Sequence, residues 1–359
     1  GGALSPGQSM ACASATTMAT LPGAYSSSAT ATARAAIPAA FVAAGGSHSC
    51  VVTQEGVAWC WGSNGRWQLG SPEDASDVSA RHVNSFEEFV QVDAGGEHTC
   101  AVSVAGSAYC WGAGSSGQLG DSTLPFLGIP TQVAGSLSFA FVSAGGTSSC
   151  GVTLDGEVYC WGNGANGLLG NNSTAGSATP VEVAGPNGPY IGVTVGTDHA
   201  CVLSIANEAY CFGANTYGQL GITVGQAAAT APVGGSHLFA ELAAGAGFTC
   251  GRDVDGVAWC WGAGTAGQLG NGASVKSTTP VQVGGGLTFS VISAGGSGAC
   301  GIAEGELWCW GSATASDEPV RVGGGADWVS VAVGTNHRCA RDGEGGVACW
   351  GLNSSGQLG

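Results

Sequence analysis

The chain has 359 residues and a formal charge of -16, from 24 acidic and 8 basic side chains, and charged residues make up only 9%. That balance excludes a nucleic-acid-binding surface, which needs a cationic face. The 66 glycines and the scarcity of Lys, Glu and Arg exclude a long helical bundle. There is no run of about 18 apolar residues to span a membrane, while 44% hydrophobic residues with 11 Trp are enough to build a core.

In chain order, residues 1–29 come first. They are small, polar and rich in Ser, Thr and Ala, and read as a linker or stalk. The sequence starts at Gly1 with no signal peptide in view, as expected of a processed chain. Residues 30–359 read as one repeat domain, which sets aside the two or three domains that length alone suggests.

The repeats are marked by cysteine. There are 15 Cys, and 14 fall into seven pairs: Cys50 with Cys60, Cys100 with Cys110, Cys150 with Cys160, Cys201 with Cys211, Cys250 with Cys260, Cys300 with Cys309, and Cys339 with Cys349. The first unit reads "AAGGSHSCVVTQEGVAWCWGSNGRWQLG" and the second "DAGGEHTCAVSVAGSAYCWGAGSSGQLG". Between the cysteines lie a β-branched run, a turn with Gly, and a second run ending in an aromatic, which is a hairpin signal. If Thr53 and Val57 flank a three-residue turn, Val52 faces Ala58, Val51 faces Trp59, and Cys50 faces Cys60. Directly opposed residues approach closely enough for a disulfide. Seven pairs of free thiols would need this facing register seven times by chance, and no CxxC accompanies any unit to suggest zinc. Seven disulfides imply an oxidising compartment. Cys12 is left over, so it is expected to pair outside the domain or to be a buried thiol.

Six units also carry an aromatic six residues before their "GG"-like pair: Phe89, Phe139, Tyr190, Phe239, Phe289 and Trp328; the first unit departs, with Ala39 there and Phe41 two positions later. A Pro-led strand stands upstream, as in "TPVEV" (Thr179–Val183), "TPVQV" (Thr279–Val283) and "EPVRV" (Glu318–Val322). Four short strands repeated seven times make an all-β fold, a seven-bladed β-propeller with one disulfide per blade, which closes without the capped ends of an open stack. Trp59 and Trp61 share one face of their strand and are expected to fill the space between blades.

With these motifs in place, "AGGxHxC…G…WGxNxxGQLG" closely resembles the repeat of the RCC1 (regulator of chromosome condensation) family. The resemblance covers roughly residues 39–359 and implies the same seven-bladed propeller. The sixth repeat lacks the GQLG tail and should have a shortened loop. The chain stops at "GQLG", before the Pro-led strand that would follow. Thr30–Ala33 is therefore expected to supply the closing strand.

Chemistry is sparse. His48, His98, His199 and His337 stand two residues before the first Cys, but Ser148, Phe248 and Gly298 interrupt any metal ring, and His there is usual in the resembling family. "DVDG" (Asp253–Gly256) is half a calcium loop and reads better as an Asp-Gly hairpin turn. No HExxH, GxSxG or P-loop occurs, so neither an enzyme nor a cofactor is expected. Asn171, Asn172 and Asn353 head N-x-S/T sequons, candidate glycan sites in a secreted protein. Two function classes follow. One is an extracellular or cell-surface module that binds a protein partner or assembles with copies of itself, as in a filament, or acts as a secreted inhibitor. The other is the role the resemblance implies, nucleotide exchange on a small GTPase. The cysteines and charge favour the first.

Overall fold

The computed structural model describes residues 39–71, 77–122, 126–185, 188–223, 225–323 and 327–359. Cys12 and Thr30–Ala33 lie outside them. The described residues form seven antiparallel sheets, six of four strands and one of three. In the first blade the strands are Ala39–Ala44, His48–Thr53, Ala58–Gly62 and Asp77–His82, side by side in chain order from the axis outward. The Pro-led segments are the outer strands, beginning slightly earlier than the sequence suggests, at Ser177, Ser277 and Ser316. Their prolines need no ladder partner on an edge.

The hairpin register agrees with the sequence residue for residue. Val52 faces Ala58, Val51 faces Trp59 and Cys50 faces Cys60. Thr53 N–H donates to Val57 O at 2.9 Å across the turn. All seven expected bridges are present, each within one hairpin. Cys50 is bonded to Cys60, Cys100 to Cys110, Cys150 to Cys160 and Cys201 to Cys211. Cys250 is bonded to Cys260, Cys300 to Cys309 and Cys339 to Cys349. Their Cα atoms are 4.0–4.1 Å apart. The Cys300 to Cys309 bridge spans nine residues where the others span ten, and the two still face each other because the turn of that hairpin is one residue shorter. Every one of these cysteines is buried between blades.

Seven seams join the blades. At each, a residue at or just before the start of an inner strand donates its N–H to the hairpin turn of the blade before. Phe89 binds Gly56 O, Trp328 binds Gly305 O, and Ala39 binds Gly345 O, so the bond also joins blade 7 to blade 1. The aromatic of the WG motif faces the preceding blade: Trp111 packs with Leu69, Val52 and Val83 of blade 1. The last sheet, Trp328–Val333, His337–Asp342 and Val347–Gly351, has no fourth strand among the described residues.

Candidate interaction surfaces

The GQLG turn is the part that each blade offers to the next. Its Gln side chain folds the turn, since Gln68 Oε1 accepts from Arg66 N–H and Gln118 Oε1 from Ser116 N–H, both at 2.9 Å. Its Leu is buried in the seam. Its Gln carbonyl accepts the indole N–H of the next blade: Trp111 on Gln68 O, Trp161 on Gln118 O, Trp261 on Gln219 O, Trp310 on Gln268 O and Trp61 on Gln357 O, at 2.9–3.1 Å. The WG glycine is required here. Gly62 has φ +106°, and a Cβ on it would stand 2.7 Å from Ser47 O and 3.1 Å from the Gln357 Cα.

The same carbonyls accept a hydroxyl from the residue before the first Cys: Thr99 on Gln68 O, Ser149 on Gln118 O, Thr249 on Gln219 O and Ser49 on Gln357 O, at 2.8–3.0 Å. Each of these hydroxyls also meets the Nε2 of a histidine in the preceding blade, at 2.8–2.9 Å: His48 with Thr99, His98 with Ser149, His199 with Thr249 and His337 with Ser49. The hydroxyl proton is directed to the carbonyl, so the hydroxyl accepts from the imidazole, which must carry its proton on Nε2. His48, His98 and His337 are therefore neutral rivets between blades; His199 makes the same bond, with its Nδ1 3.7 Å from Asp198 Oδ1, and none of the four Nδ1 atoms has a hydrogen-bond partner among the described residues. Burial lowers His48 to about 3, with His337 and then His98 adding to the effect. Burial lowers His98 to about 4, and burial with the nearby Arg338 lowers His337 to about 4.

This pairing explains the interruptions in the histidine column. Histidine occurs only where the next blade offers a hydroxyl. Ser148 and Phe248 precede Ala200 and Ala299, and Gly298 precedes Arg338. Either column alone reads as noise; the relation appears only when each His is set beside the residue about 51 positions later.

The axis encloses a cavity of 320 Å³. Its polar side chains bind the next blade's inner strand. Gln91 takes both backbone groups of Val142, and Asp93 accepts from Ala144 N–H at 2.8 Å. Burial raises Asp93 to about 6 against the opposing pull of the Ala144 and Ala94 N–H donors and the Ser143 hydroxyl. Among the described residues, no group of three or more His, Cys, Asp or Glu is placed to hold a metal ion. In the "DVDG" turn, Asp253 accepts from Asp255 N–H, Val257 N–H and the Trp259 indole at 2.8–3.0 Å, so its oxygens hold the hairpin itself.

Two features face outward. The hairpin tips of blades 2 to 5 carry Val104, Leu154, Ile205 and Val254, each 52–69% exposed. The corresponding places in blades 1, 6 and 7 hold Gln54, Glu304 and Gly343. An apolar arc thus runs around one end of the disc. The sequon residues Asn172 and Asn353 are exposed and Asn171 is half-buried. Asn353 also accepts Leu358 N–H at 3.0 Å within its turn.

A ring of hairpin-stapled four-stranded blades, riveted through a W-G and Q-L-G exchange, defines the class of this protein. The RCC1-like domain model matches residues 17–317, and the regulator of chromosome condensation (RCC1) repeat model matches residues 328–357. The chain belongs to the RCC1-like family. No curated protein matches it in sequence. Among solved structures, human WBSCR16 superposes with a TM-score of 0.76 at 20% identity, covering 88% of this chain and 87% of that one. Yeast RCC1 (Prp20), solved bound to Kap60, gives 0.73 at 17% identity, covering 88% and 81%. The CRINKLY WD40 ectodomain of the Arabidopsis thaliana receptor kinase ACR4 gives 0.59 at 19% identity, covering 89% and 97%. At these identities the likeness is one of fold.

Proposed function

We propose that this propeller is an extracellular, non-enzymatic module of a cell surface or filament that binds a protein partner or further copies of itself. The observation that carries the reading is the set of seven disulfides, one per blade, all buried in seams. Such a set is made and kept in oxidising compartments. The fold is shared by a receptor ectodomain and by yeast RCC1, so the fold alone does not choose between outside and inside. The cysteines do. The net charge of -16 and the single Lys276 oppose a nucleic-acid role. The apolar arc at the tips of blades 2 to 5 suits a protein contact better than a small-molecule site, because its residues are spread over four blades. Glycans on Asn172 or Asn353 would accompany secretion.

Peptide mapping of native material without reduction tests the reading. Fourteen bridged cysteines with every bridge inside one repeat is the expected result. Free thiols at the repeat cysteines, with accelerated nucleotide release from a small GTPase, would replace it with the exchange-factor role.

A further inference from the structure

The seam between blades 6 and 7 differs from every other. Repeat 6 has no GQLG turn. Its strand ends at Gly311 and the outer strand resumes at Ser316. The seam therefore lacks the buried Leu that the other six blades present to their neighbours, and the Gln carbonyl that five of them present. The short loop folds back instead: a Cβ on Gly298 would lie 2.9 Å from the Ala313 Cβ, which explains why Gly replaces His there.

Blade 7 still presents donors to this seam, where Ala313 and Val322 of blade 6 pack with Trp350 against one buried cluster. Trp350 is the WG tryptophan that would donate to the missing carbonyl. Its Nε1 is buried and has no hydrogen-bond partner among the described residues. Directly across the ladder, paired with Trp350, is Arg338. It occupies the place of Ser49 and Thr99 and is only 8% exposed. One guanidinium nitrogen, Nη1, donates to Ala313 O at 2.6 Å, but Nε is buried without a partner. None of the ion pairs among the described residues involves Arg338. A buried cation without an anion is costly, as is an unpaired indole N–H.

The seam between blades 3 and 4 shows what a purely structural replacement looks like. There the turn reads "GLLG", and the facing residues are Ala200 and Phe212, whose side chains carry no donor. Blade 7 does the reverse: it keeps the indole and adds a guanidinium.

We propose that the seam between blades 6 and 7, where the turn is missing, is a binding site for a carboxylate presented on a peptide turn of a partner protein, held by Arg338 Nε and Trp350 Nε1. The turn is specified by the six seats that are filled, each by a backbone turn carrying Leu. The negative charge is specified by the guanidinium, which no described carboxylate neutralises. The identity of the donor as a protein rests on the protein-binding reading above; the seat itself does not.

The test uses the full oxidised chain labelled with 15N-Trp. The Trp350 indole resonance is identified by its absence from Trp350→Phe. The probes are Ac-Gly-Glu-Leu-Gly-NH2, Ac-Gly-Gln-Leu-Gly-NH2 and sodium acetate. The expected result is a saturable shift of the Trp350 resonance with the glutamate peptide, at least about fivefold weaker with the glutamine peptide and with acetate. Arg338→Met should weaken the glutamate peptide by about tenfold or more, and Arg338→Lys by about threefold or more, because Lys keeps charge but loses the forked geometry. If Arg338→Met does not fold, as judged from the other indole resonances, Arg338→Lys decides. No shift, or a shift unaffected by the Arg338 replacements, overturns the site. Acetate binding as tightly as the glutamate peptide overturns the peptide source. A failed titration on a chain with mapped bridges removes this site and leaves the extracellular reading standing.

Discussion

Blade 7 has two flanks, and they are built in opposite ways. Toward blade 1 it offers a complete seat. Gln357 O accepts from Trp61 and Ser49, His337 caps the Ser49 hydroxyl, and Thr335 N–H reaches Gly45 O at 3.1 Å. Toward blade 6 it receives no seat, and its Trp350 and Arg338 end without acceptors at Nε1 and Nε. Among the described residues, blade 7 is joined to blade 1 through its inner strands and its last turn. These are the same seam bonds as between internal blades.

The largest expected effect comes from acid, and it should strike only the histidine seams. A histidine whose folded pKa lies below its unfolded 6.5 leaves the native state with fewer bound protons. Its contribution is intact above pH 6.5 and is lost as pH falls toward the folded values, about 3 for His48 and about 4 for His98 and His337. Asp93 has the opposite sign: raised to about 6, its penalty is full above that pH and is relieved as pH falls toward 3.8. Burial also raises Glu241, which acts with Asp93, while the contact with His199 lowers Asp198, which acts with the rings; the three rings dominate and leave a net loss, on the order of several kcal/mol by pH 4.5. Urea midpoints measured from pH 7.5 to 4.5 should fall. A flat or rising midpoint would show that the rings are not held neutral.

Next in size is the contrast between equivalent tryptophans. Trp161→Ala empties a fully buried site and leaves the Gln118 carbonyl with the Ser149 hydroxyl as its one remaining side-chain donor; a loss of about 3–5 kcal/mol is expected. Trp350→Ala removes a half-buried ring whose indole N–H is unpaired, so its loss should be smaller by about 2 kcal/mol. Denaturant unfolding of the two variants checks the difference. Equal losses would mean that the seam between blades 6 and 7 is as complete as the one between blades 2 and 3.

Much of this was legible in the sequence, for a physical reason. Strand register is local: once Thr53 and Val57 flank the turn, the bridge from Cys50 to Cys60 follows from counting. The same count gives Cys110, Cys160, Cys211, Cys260 and Cys349 as the partners of the cysteines ten residues before them. Cys309 follows after nine, because its turn is shorter by one. The period, the WG aromatics and the missing sixth GQLG needed only comparison of repeats. The rivets were hidden because His48 and Thr99 are 51 residues apart and meet only after the ring has formed. The direction of the tryptophans was also beyond counting, since alternation says that Trp59 and Trp61 share a face but not which neighbour that face meets. Arg338 carried a signal that could have been read: it is the only charged residue in the column Ser49, Thr99, Ser149, Ala200, Thr249, Ala299, Arg338, and it coincides with the deleted turn.

The rivet pairing can be tested by transplanting one seam into another. Thr99→Ala should lower stability by about 1–3 kcal/mol, because it leaves the buried His48 Nε2–H without its acceptor. Adding His48→Phe reproduces the pairing of Phe248 with Ala299 between blades 5 and 6 and should restore part of that loss. The expected coupling is about 1 kcal/mol or more in a double-mutant cycle. Simple additivity would mean that the His and hydroxyl columns are matched by accident.

The smallest expected effect separates the two roles that Arg338 can have. If its guanidinium were the structural substitute for the lost turn, removing it would resemble removing Leu119 or Leu269 from an intact seam, at about 2–5 kcal/mol. Its bonding does not support that. Its hydrogen bond goes to Ala313 O alone, while burial pulls its pKa down to about 10, so keeping it charged costs the folded state free energy. Replacing a buried, uncompensated charge with an apolar side chain of similar length is often neutral or stabilising. Arg338→Met should therefore change the stability of the isolated protein by no more than about 1 kcal/mol in either direction. The same replacement removes the cation from the seam of blade 7 that lacks its turn. A loss above about 2 kcal/mol in denaturant unfolding would assign Arg338 to the fold; a change near zero leaves a buried charge that the free protein does not need, whose use lies in what it binds.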